Sequence, residues 1–299
     1  MPGLHAQPSS RNNQEITTMQ SQRKYPKLYS FEFYPPKTAA GEVSLQKVHS
    51  ELAKLDPDFF SVTFGAGGST RDKTYETVLK IQQSGIAAAP HLSCVASTRD
   101  NIRGILKDYR DNGIKKIVAL RGDLPSGTLS AGEFRYANEL VEFIRQESGD
   151  HFQIHVAAYP EVHPQAASGI EDLKNFKRKV DAGADAAITQ YFYNADAYFY
   201  FVDACEKLGI DIPIVPGIMP VFNYPQLFRF SDMCGADIPR WMRKRLEGFG
   251  DDVESARAFG VDVVSDLCQR LLDNGAPGLH FYTMNQSGPV LAIWENLNL

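Results

Sequence analysis

Two hydrophobic periods alternate along this chain. Short runs rich in β-branched and aromatic residues recur, and between them lie stretches whose apolar positions return every three or four residues. Eight runs read as strands: 28–34 (LYSFEFY), 59–65 (FFSVTFG), 86–93 (IAAAPHLS), 116–121 (KIVALR), 153–159 (QIHVAAY), 186–193 (AAITQYFY), 214–219 (IVPGIM) and 278–284 (GLHFYTM). Helices are predicted over 42–55, 72–84, 99–112, 136–147, 170–182 and 195–208. Four of them run into Gly85, Gly113, Gly183 or Gly209 just before the next strand, where a left-handed C-cap costs little. A spacing of about 30 residues is one βαβ step, and eight steps close a ring. The pattern predicts an α/β fold, a single-domain (β/α)8 TIM barrel over 28–299. A helical insertion separates strands seven and eight over about 223–277 and holds a long helix at 252–272. The rival, an open doubly wound sheet, fits eight repeats less well and brings no dinucleotide fingerprint. Residues 1–27 are polar and rich in Gln, Ser and Asn, and read as a disordered tail with at most one short helix.

Composition narrows the function. With 299 residues, 43% of them hydrophobic, the chain can bury a full core. A formal net charge of −5 leaves no basic field for nucleic acid or acidic lipid. Four scattered cysteines (Cys94, Cys205, Cys234, Cys268) form no CxxC, so no metal site or disulfide framework is expected and a reducing cytoplasm fits. Neither a secretory leader nor a run long enough to span a bilayer is evident.

In a barrel of this kind, chemistry gathers at the C-terminal strand ends. Glu32, between Phe31 and Phe33, is expected to be partly desolvated with a raised pKa, fit for general acid work; the bland reading is a Glu paired with Arg or Lys. Asp123 follows Arg121 and Gly122 in a turn stiffened by Pro125, suited to hold one negative charge beside a bound ring, or else simply to cap a turn. Two glycine-rich stretches are decoys. After strand two, 65–70 (GAGGST) ends in Thr70 where a Rossmann glycine belongs, and 122–128 (GDLPSGT) has Thr128 where a P-loop needs lysine. Small residues at strand two still allow a cofactor close to the backbone. His91, His163 and Lys179, with Asp172 seven residues before the lysine, offer donors for a pyrophosphate; the alternative is an ordinary charged helix surface. No strand ends in the lysine that a Schiff-base aldolase needs. A non-catalytic barrel would not need Glu32 and Asp123 together.

Taken in order, SFEFYPPK, FSVTFGAGGSTRDKT, AAPHLSC, VALRGDLP, VAAYPEVHP, KRKVDAGADAAITQYFY, PGIMPV and HFYTMN resemble 5,10-methylenetetrahydrofolate reductase of the short bacterial type, from about residue 28 to the C-terminus. The resemblance implies a flavoprotein barrel holding FAD that reduces 5,10-methylenetetrahydrofolate to 5-methyltetrahydrofolate with NADH or NADPH. It further implies a homo-oligomer, with a tetramer expected. On that pattern Glu32 is the acid that protonates N10, and Asp123 lies near flavin and folate. Implied FAD contacts are Phe64, Ala66, His91, Arg121, Gly122, Tyr136, Ala137, Tyr159, His163, Ala166, Asp172, Asn175 and Lys179. Thr63 and Gln190 resemble nicotinamide or folate contacts beside the flavin, and Gln226, Phe230 and Tyr282 match the folate side. Phe230 also offers a stacking face for an aminobenzoyl ring, and Gln190 an amide for a pterin edge. Gln286 departs from the arginine that often follows HFYTxN, which weakens the expected contact to the folate glutamate.

Overall fold

The computed structural model describes residues 19–64, 68–123 and 132–299. Parallel strands form the inner wall: β1 (Leu28–Phe33), β2 (Phe59–Val62), β3 (Ala88–Ser93), β4 (Lys116–Leu120), β5 (Gln153–Ala158), β6 (Ala186–Thr189), β7 (Ile214–Val215), β8 (Gly217–Ile218) and β9 (Gly278–Tyr282). Neighbours pair in the order β7-β6-β5-β4-β3-β2-β1-β9-β8. The seventh run of the sequence is thus one stretch divided at Pro216. Its first half pairs with β6 and its second with β9, which brings the ring round. The TIM barrel expected from the eightfold pattern is the fold of the chain.

The outer helices fall close to their expected places: α2 (Ala39–Leu52), α3 (Gly68–Gln83), α4 (Arg99–Asp111), α5 (Ala137–Ser148), α6 (Gly169–Asp181) and α7 (Ala195–Lys207). Local chemistry sets several starts. The side chains of Thr38, Thr98 and Ser168 accept hydrogen bonds from the first-turn amides of α2, α4 and α6, satisfying donors the helix leaves over. The insertion contains α8 (Tyr224–Cys234), α9 (Arg240–Gly248) and α10 (Val253–Asp273), and α11 (Gly288–Asn296) closes the chain. Sequence reading named α10 but not α8, α9 or α11.

The main core lies between strands and helices, where Phe31, Phe33, Phe60, Leu92, Phe152 and Phe281 are fully buried. A smaller apolar cluster of Phe59, Ala89, Val118 and Ile188 fills the barrel interior. Polar groups are buried as well: Ser30, Ser61, His155 and His280 are wholly inaccessible. The disordered tail expected over 1–27 does not hold for its last nine residues. A short helix, α1 (Gln20–Arg23), packs under the barrel, with Met19 and Gln22 buried. The Gln22 carboxamide donates to Ile212 O and accepts from Ile214 N, at 3.3 and 2.8 Å. Apolar and polar anchors of this kind were hidden in a segment whose overall composition reads as loop. Among the described residues, no helix is long and apolar enough to cross a membrane.

Candidate active site

Register brings the acid into place. Glu32 lies opposite Ser61 on β2 and Tyr282 on β9, and two residues lower Ser30 faces His280. Its carboxylate has His91 Nε2 at 3.2 Å and His280 Nε2 at 3.6 Å, with Ser30 Oγ in turn 2.7 Å from His280 Nδ1. Burial alone would raise the Glu32 pKa, but the two imidazoles outweigh it and hold the carboxyl down at about 2. The expected upward shift is therefore corrected. Aromatic neighbours in sequence supply desolvation, while the partners that decide the sign come from β3 and from β9, 248 residues further along. The His280 ring itself is pushed toward its neutral form by burial.

Around Glu32 opens a cavity of about 560 Å³ at the barrel mouth, lined by Thr63, His91, Asp123, Gln190, Phe230 and Tyr282 among others. Each of these comes from a different strand end or loop, except Phe230, which α8 carries over the mouth. The Gln190 carboxamide oxygen accepts from the Tyr191 amide at 3.0 Å, and among the described residues its NH₂ has no acceptor and can donate to a ligand. Tyr282 donates its hydroxyl to Thr189 O at 2.8 Å, and burial keeps that phenol protonated.

A second cleft, of about 300 Å³, adjoins the first along Leu120, Asp123, Ala157, Tyr159, His163 and Gln165. Its walls bring together Arg121, Gly122, Asp123, Tyr136, Ala137, Tyr159, His163, Ala166, Asp172, Asn175 and Lys179. Gly122 adopts φ +83°, and a Cβ there would lie 1.9 Å from Ser93 Oγ, so only glycine lets the loop pass this close to β3. Arg121 is steered by Gln165, whose Oε1 accepts from the guanidinium at 2.6 Å. Lys179 reaches Ala157 O at 2.5 Å; burial lowers its pKa to about 8, with Asp172 acting in the opposite sense. Asp172 accepts from the His163 amide at 2.8 Å and so fixes the β5 loop. Burial pushes the Tyr159 phenol up to about 12.

Not every expected residue joins these walls. His91 stands against Glu32 in the first cavity and does not line the cleft beside Arg121 and Lys179. Phe64 and Gln286 line neither, and Gln286 is exposed. Gln226 sits in the first turn of α8, its amide donating to the capping Asn223 side chain. Ala66 lies outside the described residues. Sequence reading missed His280, Gln165, Tyr191 and Cys234. Alternation along β9 was the available signal for His280, since it shares the inward face with Tyr282.

A closed (β/α)8 ring with acid, imidazole, amide and cationic groups at one mouth defines a barrel enzyme. A family profile described as methylenetetrahydrofolate reductase matches residues 17–298. The chain is 42% identical over 300 residues to the 5,10-methylenetetrahydrofolate reductase of Escherichia coli, covering 100% of this chain and 99% of that one. It is 39% identical over 285 residues to methylenetetrahydrofolate reductase (NADH) 1 of Arabidopsis thaliana, covering 91% and 48%. Among solved structures, an uncharacterized Clostridium thermocellum protein that binds two copies of 5-methyl-5,6,7,8-tetrahydrofolic acid shares the fold. Its TM-score is 0.67 at 16% identity, covering 95% of this chain and 100% of the other. The chain belongs to the methylenetetrahydrofolate reductase family.

Proposed function

We propose that the chain binds FAD and converts 5,10-methylenetetrahydrofolate to 5-methyltetrahydrofolate with hydride from a reduced nicotinamide, the two substrates visiting one mouth in turn. The observation that carries this reading is the meeting of two cavities: one holds an acid beside amide and aromatic groups, and the other has Arg121 and Lys179 in its wall. The cleft suits FAD. Arg121 and the half-buried Lys179 would hold its diphosphate, Gly122 admits a close approach to backbone, and Tyr136, Ala166 and Asn175 line the rest. Bound there, FAD supplies a two-electron store between the donor and the acceptor.

The remaining chemistry belongs to side chains. Opening of the five-membered folate ring needs a proton at N10, and Glu32 is the acid at the centre of the mouth. His91 and His280 contact its carboxylate at 3.2 and 3.6 Å, and Glu32 hands the proton to N10. Gln190 donates its free NH₂ to an acceptor on the pterin edge. Phe230 stacks on the aminobenzoyl ring, while Asp123 disfavours negative charge building up on a ring bound beside it. The name of the Arabidopsis relative supports NADH as the donor.

Visible absorption of the purified protein tests the reading. A flavin spectrum that bleaches under NADH without oxygen and returns on adding 5,10-methylenetetrahydrofolate is the expected result. A protein that cannot be reconstituted with FAD overturns it.

A further inference from the structure

Two proposed substrate contacts in the lining of the mouth are each followed by a residue of one hydrogen-bond chain. Gln190, just beyond β6, precedes Tyr191; Phe230, on α8, precedes Ser231. The Tyr191 hydroxyl lies 3.1 Å from Ser231 Oγ and accepts from Cys234 Sγ at 3.4 Å, so it binds two successive turns of α8. The Tyr191–Ser231 link is buried, with Tyr191 4% exposed and Ser231 1%, while Cys234 is half-buried. Burial pushes the Tyr191 phenol far up, so the hydroxyl keeps its proton. The same residue holds Gln190 from its backbone, since the Tyr191 amide donates to the Gln190 carboxamide. Its ring packs edge-on against Tyr193 and Tyr282, each at 6.1 Å, and those two hydroxyls are bonded to Met219 O and Thr189 O. These contacts hold the Tyr191 ring on two sides and so position its hydroxyl.

We propose that the Tyr191 hydroxyl, through Ser231 and Cys234, sets the separation between Gln190 and Phe230 and so determines how tightly a folate is held across the mouth. The inference rests on the folate reading of that mouth. Tyr191 acts here as a positioning residue. Its ring forms wall, but the effect on substrate passes through the helix it ties down. Without the bond α8 remains attached by its apolar contacts, Leu227 above all, and by the Arg243 guanidinium stacked 4.3 Å from the Phe228 ring. The helix stays and its register over the mouth loosens.

The experiment measures affinity for 5-methyltetrahydrofolate by titration calorimetry on the FAD-loaded protein, for wild type, Tyr191→Phe, Ser231→Ala and the double variant, with melting temperatures alongside. Tyr191→Phe removes the contacts to both Ser231 and Cys234, and the loss of these neutral hydrogen bonds predicts a Kd about three- to tenfold weaker. The double variant is expected to bind no worse than the weaker single one, because both substitutions cut the same link. In turnover, KM for 5,10-methylenetetrahydrofolate rises by the same factor while kcat changes less. Wild-type affinity in Tyr191→Phe, additive losses in the double variant, or equal losses in KM and kcat would each overturn the proposal. A wild-type protein that binds no folate fails earlier, at the functional reading, whereas normal wild-type binding beside an unaffected variant removes the latch alone.

Discussion

His155 sits at the centre of the barrel on β5, fully inaccessible, with its ring 5.0 Å from that of Phe59 and neither ring nitrogen hydrogen-bonded among the described residues. Burial, helped by Lys116 and His280, drops its pKa from 6.5 to about 3. The folded protein therefore keeps this ring neutral down to about pH 3, while the unfolded chain protonates it below about pH 6.5. The unfolded state binds more protons throughout that window, so the contribution to stability is complete above pH 6.5, declines as pH falls and levels off below pH 3. Between pH 8 and pH 5 the loss amounts to about 2 kcal/mol, from 1.5 pH units below the unfolded value at 1.36 kcal/mol each. His155→Leu keeps an apolar side chain of similar size against Phe59 and removes the titration. Urea unfolding at pH 8 and pH 5 is expected to show wild type losing about 2 kcal/mol more than the variant. Absolute stabilities will differ, so the test lies in the difference between the two pH values. Parallel losses in both proteins would show that the interior around His155 is wet enough to accept the charge, and the burial argument would fall.

Glu32→Gln is expected to slow folate reduction by about 10²- to 10⁴-fold, the worth of a general acid, while flavin reduction by NADH suffers far less. Stopped-flow measurement of the two half-reactions checks it, and equal losses would remove the proton-transfer role. Asp123→Asn should raise the flavin reduction potential by removing a negative charge from the cavity wall, and potentiometric titration showing no change or a fall would reduce Asp123 to a turn residue. Initial rates over a grid of both substrates should give parallel double-reciprocal lines, since one mouth must serve both; intersecting lines would require a second site.

The barrel was legible because its signal is local and repeated: each strand announces itself by composition, and each helix by its apolar spacing. The site was legible where a strand end carries its own chemistry, as at Glu32, Asp123 and Gln190. What escaped depends on register between distant segments. Nothing near Glu32 in sequence foretells that His280 will come to rest 3.6 Å away, and that contact helps reverse the direction of the carboxyl shift. The role of α8 was hidden for a related reason. Phe230 stood out as an aromatic, but Tyr191, Ser231 and Cys234 look unremarkable until the insertion folds back over β6. Residues 19–27 misled in the other direction, since a polar segment can be ordered by a few specific bonds to main chain, as Gln22 shows at Ile212 and Ile214.

The strand that Pro216 divides gives the ring a seam. Each half carries only two paired residues, Ile214 and Val215 toward β6, then Gly217 and Ile218 toward β9. Gly217 admits no side chain there, for a Cβ would lie 2.1 Å from Thr189 O. The segment ahead of β1 fastens this seam from beneath like a staple: Gln22 grips Ile212 and Ile214 on one side, while Met19 and Arg23 bond to Asn274 O and Asp273 O on the approach to β9. Trimming the chain back to Leu28 would pull that staple, and the amides of Val215 and Ile218 would be the first in the wall to exchange with heavy water. Met219 and Tyr282 sit at the upper end of the same seam, in the lining of the mouth. A cut made at the floor of the barrel would therefore be felt at its rim, as a slackening of the wall that lines the mouth.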